Sequence, residues 1–194
     1  MLTLIGLVRS DLCRYSEIGL HSFFVNLARE PAFRVITLFR LCKFLKARSG
    51  AVAYVAYIPF RFMFKRGQIR FGISLPLETK VGPGFYIGHY GGIVINGRAV
   101  IGKNCNISQG VTIGQTNRGS RQGVPLIGDS VYIGPGAKII GGVSIGNHAA
   151  IGANAVVTKD VPENGVAVGI PARIISLDGA TGYVNRTDYP PVEY

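Results

Sequence analysis

Broken every six residues, the segment Ile127–Val157 reads IGDSVY, IGPGAK, IIGGVS, IGNHAA, IGANAV and V. An aliphatic residue opens each block, at Ile127, Ile133, Ile139, Ile145, Ile151 and Val157. Glycine follows at Gly128, Gly134, Gly146 and Gly152, and four places after the aliphatic residue stand Val131, Ala137, Ala149 and Ala155. An α-helix, with its period of about 3.6 residues, drifts out of phase over this length, and an amphipathic strand alternates every other residue. A coil with three flat faces keeps a period of six, each face being a short strand ended by a corner. The aliphatic side chain then points inward and stacks on its equivalent one coil away. The small residue fits the tight interior, and glycine relaxes the corner backbone.

Toward the N-terminus the same spacing continues at Ile113, Ile107, Ile101 and Ile95, and again at Ile93, Ile87, Val81 and Leu75. The repeat is interrupted twice. Ile113 and Ile127 are 14 positions apart, so eight residues beyond the repeat leave the coil within loop 114–126. That loop is polar, basic and glycine-rich, as an exposed functional loop is. Between Ile93 and Ile95 the frame slips by two, beside His89-Tyr90-Gly91-Gly92. The repeats predict a mainly β solenoid over residues 71–175.

The flanks differ from this body. Residues 1–70 predict helices: an amphipathic one over Arg9–Arg29, a second over Phe33–Arg48, and a more apolar third over Ala51–Lys65 interrupted at Pro59. Residues 176–194 are polar and turn-rich and predict an irregular tail. With 47% hydrophobic and 16% charged residues the chain is not of disordered composition. Its net charge is +11, and residues 1–70 carry twelve Lys/Arg against three acids where 71–194 carry nine against seven. A basic region on a nearly neutral body predicts an anionic contact for that region alone. Interleaved Phe, Leu and Tyr favour anionic lipid at the inner face of the cell membrane, and no recognition motif supports nucleic acid. Cys13, Cys42 and Cys105 lack metal-ligand spacing and predict reduced thiols in a cytoplasmic protein. No basic run precedes the opening apolar residues, so no secretory leader is expected. The uncharged stretch Ser49–Phe60 is shorter than the roughly 20 residues that span a bilayer.

Residues 75–175 resemble the hexapeptide-repeat acyltransferases. The run Ile87-Gly88-His89-Tyr90-Gly91-Gly92-Ile93-Val94-Ile95 is similar to that of the serine acetyltransferase branch. Val168-Gly169-Ile170-Pro171-Ala172-Arg173 resembles the segment with which the superfamily leaves its β-helix. The basic, aromatic-rich N-terminus is more similar to the acetyltransferases of exopolysaccharide and colanic-acid-type gene clusters. The resemblance implies a left-handed parallel β-helix, a homotrimer, and acetyl-CoA in the groove between neighbouring β-helices. It also implies that His89 is the catalytic base. A hydroxyl must lose its proton as it attacks a thioester, and neutral imidazole suits that task near neutral pH. Backbone N–H groups would hold the oxyanion.

By position, Pro135 and Ala153 match corner residues lining the coenzyme groove, with Lys159 and Arg173 placed for its phosphates. Arg118 and Arg121 in the loop are candidates for coenzyme or an acidic glycan. His21 and His148 match no motif, and no metal is implied, since a zinc site of the related carbonic anhydrases needs three converging histidines. Serine acetyltransferases carry Asp where this chain has Gly88, and Arg-His-Pro where it has Gly123-Val124-Pro125. Losing a cation and a second histidine removes groups suited to gripping a small zwitterion. Tyr194 stands in place of the Ile that docks into cysteine synthase, so that partner is not expected. These departures predict a saccharide hydroxyl or lipid-linked glycan as acceptor, in exopolysaccharide or cell-surface glycan biosynthesis. The alternatives are a serine O-acetyltransferase of cysteine biosynthesis and a non-catalytic β-helix scaffold. Residues 1–70 either dock on membrane or cap the trimer.

Overall fold

The computed structural model describes residues 3–192, so Tyr194 and the docking expectation attached to it lie outside the described residues. Four helices precede a left-handed β-helix whose short strands stack into three sheets. The first sheet holds β1 (Ile73–Ser74), β4 (Ile93–Ile95), β7 (Thr112–Gly114), β10 (Lys138–Ile140) and β13 (Val156–Val157). The second holds β2 (Lys80–Val81), β5 (Val100–Ile101), β8 (Leu126–Ile127) and β11 (Ser144–Ile145). The third holds β3 (Tyr86–Ile87), β6 (Asn106–Ile107), β9 (Tyr132–Ile133), β12 (Ala150–Ile151) and β14 (Val166–Gly169), closed by antiparallel β15 (Ala172–Ser176).

Register reports the coil length directly. Ile133 pairs with Ile151 and Lys138 with Val156, both 18 positions on, which is three six-residue blocks per turn. Across the slip the offset is 20, with Ile87 opposite Ile107; across the loop it is 26, with Ile107 opposite Ile133. The interior is a set of aliphatic columns, such as Ile87, Ile107, Ile133 and Ile151 on the third face, all buried. The corner between the second and third sheets stacks five residues in left-handed backbone: Gly84, Asn104, Ser130, His148 and Asn164, with φ from 56° to 70°. Asn and His tolerate this conformation better than most side chains, which accounts for His148 in structural terms.

The helices are α1 (Leu4–Cys13), α2 (Leu20–Arg29), α3 (Pro31–Lys46) and α4 (Ala51–Phe71). The single helix expected over Arg9–Arg29 is in fact two, because Arg14 and Tyr15 leave the helical path to bond the β-helix. Arg14 Nη1 donates to Gly84 O at 3.0 Å and the Tyr15 hydroxyl donates to Ile87 O at 3.0 Å. Nor does Pro59 interrupt α4. The proline sits on the exposed side, and the helix continues because Tyr57, Phe60, Phe64 and Phe71 on its other side pack against the core.

The basic residues of the helical layer have a structural task that follows from the solenoid. In every later coil, strand carbonyls accept from the coil before: Ala99, Ile101 and Ile107 accept from the amides of Lys80, Gly82 and Gly88. The equivalents in the first coil, Thr79, Val81 and Ile87, have no coil above them. Side chains supply the donors: Lys43 Nζ to Thr79 O at 2.7 Å, Arg40 Nη1 to Val81 O at 2.6 Å, and Tyr15 to Ile87 O. Arg40 also pairs with Asp11 through two hydrogen bonds, and Asp11 accepts the amide of Phe85 at 2.8 Å. Buried carbonyls require donors, and Lys, Arg and Tyr reach them. Among the described residues the tail after β15 has no regular structure but is pinned. Tyr183 stacks on Tyr132 at 4.4 Å, and the Tyr189 hydroxyl donates to Asn104 at 2.7 Å.

Candidate active site

The frame slip lies in a corner longer than its equivalents. Three later corners between the third and first sheets span Ile107–Val111, Ile133–Ala137 and Ile151–Ala155, with three residues between the inward positions. The first corner runs from Ile87 to Ile93 with five. Inter-coil bonds align Gly88 with Ser108 and Gly134, and Gly91 with Gln109, Pro135 and Ala153. Gly92 falls in line with Gly110, Gly136 and Asn154, all in left-handed backbone. The two additional residues are therefore His89 and Tyr90 themselves. The shift that the sequence displays between Ile93 and Ile95 arises in the corner, and Ile93 occupies a position held by a smaller residue in later coils.

Three contacts hold the bulged corner. Helix α4 ends at Gly72, whose φ is 61° and whose added Cβ would stand 3.1 Å from the Gly92 amide nitrogen, so only glycine fits there without strain. Tyr90 packs edge-on against Phe71, with ring centroids 5.4 Å apart. Just before the corner, the Tyr15 hydroxyl also accepts the Ile87 amide at 3.2 Å. His89 is exposed and makes no hydrogen bond among the described residues. It lines a cleft of about 670 Å³ together with Tyr86, Tyr15, Asn26, Arg29 and Glu30. The residues from α2 carry no spacing signal, and only the packing of the helical layer brings them beside the corner.

The remaining sequence candidates fall at four places. Pro135 and Ala153 lie on the His89 edge, one and two coils beyond Gln109. Lys159 is exposed on the next edge, between the first and second sheets, and Arg173 is exposed on β15 at the far end. Loop 114–126 folds back as a small hairpin closed by the Thr116–Gly123 pair. Arg121 is committed to both carboxylate oxygens of Asp160, at 2.8 and 2.7 Å, while Arg118 stands exposed at the tip. Asp160 also accepts the Ser144 amide at 2.9 Å. These bonds, that from Arg121 foremost, hold its pKa below the ordinary aspartate value. Among the described residues no three His, Cys, Asp or Glu side chains gather as metal ligands would.

Residues 125–159 match the family model "Bacterial transferase hexapeptide (six repeats)". A serine acetyltransferase of Synechococcus elongatus is 34% identical over 149 residues, 77% of this chain and 59% of the relative. The serine acetyltransferase of Brucella abortus, solved also in complex with coenzyme A, superposes with a TM-score of 0.73 at 30% identity, over 90% of this chain and 70% of that one. Soybean serine acetyltransferase complexed with serine superposes equally well, 0.73 at 31% identity, over 89% and 69%. The chain belongs to the serine acetyltransferase branch of the hexapeptide-repeat acyltransferases. It spans 59% of the length of the Synechococcus relative.

These matches correct the acceptor expected from the sequence. Similarity to serine acetyltransferases covers the helical layer as well as the coils. Gly88 and Gly123-Val124 are thus substitutions inside that family's frame, and they do not mark a saccharide enzyme of exopolysaccharide assembly.

Proposed function

We propose that this chain transfers the acetyl group of acetyl-CoA to the hydroxyl of L-serine, with His89 as general base. The observation that carries the reading is the position of His89. It is half of a two-residue insertion in an otherwise regular edge, unbonded and open to a cleft, in a chain similar over most of its length to serine acetyltransferases. The imidazole takes the hydroxyl proton as the oxygen attacks the thioester carbonyl. The tetrahedral intermediate then expels the CoA thiolate, which recovers that proton from the imidazolium. Pro135 and Ala153, on the same edge, form the floor for the coenzyme, with Lys159, Arg173 and Arg118 as cations for its phosphates. The assembly is a homotrimer, and the site lies in the cytoplasm, where both substrates occur.

The test is CoA release from acetyl-CoA with and without L-serine. Serine-dependent release that falls about 10²- to 10⁴-fold in His89→Ala is expected. Absence of serine-dependent release, or an undiminished rate in the variant, refutes the reading. Light scattering should give a mass three times that of the chain.

A further inference from the structure

Helix α4 leaves one face uncovered. Tyr57, Phe60, Phe64 and Phe71 pack inward, but Val55, Phe62 and Ile69 are 66%, 61% and 74% exposed, with Val52, Ile58 and Met63 exposed beside them. Steps of three, four and seven residues put Val55, Ile58, Phe62 and Ile69 in one stripe opposite the packed side. A helix that is apolar all round requires a cover on its second face.

Charge discriminates between covers. Pro31–Leu77 contains nine Lys/Arg and no Asp or Glu. Arg40 and Lys43 serve the carbonyl cap, but Lys65, Arg66 and Arg70 stand exposed along the stripe. None of the ion pairs among the described residues involves α4. A second copy of the chain laid face to face on this helix, about a two-fold axis, would set those cations against their own equivalents with no acid between them, which is repulsive. Anionic lipid would neutralise them. The Arg66 guanidinium lies 5.6 Å from the Phe62 ring centre, so an apolar body and a cationic head occupy the same strip, as on interfacial helices. No helix among the described residues is long and apolar enough to cross a membrane, so α4 lies along a surface.

We propose that α4 docks the protein on an anionic lipid surface. Val55, Phe62 and Ile69 enter the boundary of the acyl chains while Lys65, Arg66 and Arg70 meet headgroup phosphates. The full chain is sedimented with phosphatidylcholine vesicles, with and without phosphatidylglycerol. Partitioning at least about tenfold stronger onto the anionic vesicles, and weakened by salt, is expected. Lys65→Gln with Arg66→Gln should lower it about 30-fold. Phe62→Asp should abolish it, with oligomer mass unchanged in both variants. Equal partitioning onto neutral vesicles, or none, overturns the proposal. So does loss of vesicle binding that comes only with loss of the oligomer, which would make a second copy the cover. The readout is independent of whether serine is the acceptor.

Discussion

Replacing Arg40 by methionine should destabilise the protein more than any surface charge change. The stem of the side chain is kept, so packing is little altered. Four acceptors lose a donor: Asp11 Oδ2 at 2.8 Å, Asp11 Oδ1 at 3.1 Å (which keeps the Phe85 amide), and the carbonyls of Val81 and Gly82, both at 2.6 Å. The Arg40 and Asp11 side chains are 3% and 1% exposed, so water cannot take over at the carboxylate. Breaking a buried pair from one side costs about 3–5 kcal/mol. The two orphaned carbonyls are part-buried and add toward the low end of about 1–3 kcal/mol. These terms overlap, and a loss of about 4–6 kcal/mol is expected, a large share of the roughly 5–15 kcal/mol that holds an ordinary domain. Lys46→Met is the control. Its pair with Glu78 is 58% and 65% exposed and should be worth at most about 1 kcal/mol. Urea unfolding at fixed protein concentration measures both. The double variant Asp11→Leu/Arg40→Met removes the lone charge and should regain at least half of the single loss. If Arg40→Met unfolds within about 1 kcal/mol of Lys46→Met, the carbonyl cap is not what holds the helical layer to the β-helix.

Gly72→Ala should cost about 1–2 kcal/mol or more, through the positive φ and the 3.1 Å approach to the Gly92 amide. Calorimetry measures the loss, and a melt matching the wild type would remove Gly72 from the support of the His89 corner. Because Arg121 and the Ser144 amide depress the Asp160 pKa, their stabilisation is full above the ordinary aspartate value of 3.8 and is lost as pH falls through a lower folded value. Carbon NMR of the Asp160 carboxyl should show a midpoint below 3.8, and a midpoint at or above it would mean that the loop hairpin is untethered in solution. Burial pushes the thiols of Cys42 and Cys105 up to about 11 and about 12. At mildly alkaline pH a thiol reagent should therefore label Cys13 alone in the folded protein, and fast labelling of Cys105 would contradict a closed β-helix interior.

The β-helix was legible in the sequence because its cause is local and repeated. Each inward residue from Ile127 to Val157 meets the same environment one coil away, so one physical requirement is written every six residues. Both insertions were legible as breaks in that count, and His89 as the one histidine beside a break. The two residues inserted at the corner could be named only from the inter-coil bonds that align Gly91 with Pro135 and Ala153. Nothing periodic records that Arg14, Arg40 and Lys43 are donors to the first coil. In the sequence they read as part of a basic region facing an anionic surface, and they become structural because the first coil has carbonyls and no coil above it. The helix break after Cys13, the passage of α4 through Pro59, and the placing of Arg29 and Glu30 beside His89 have the same origin. The sequence by itself determined the repeat, and with it the solenoid and the position of its interruptions. Contacts between residues some 30 to 90 positions apart, which leave no spacing in the chain, decided how the helices close its open end and what faces His89.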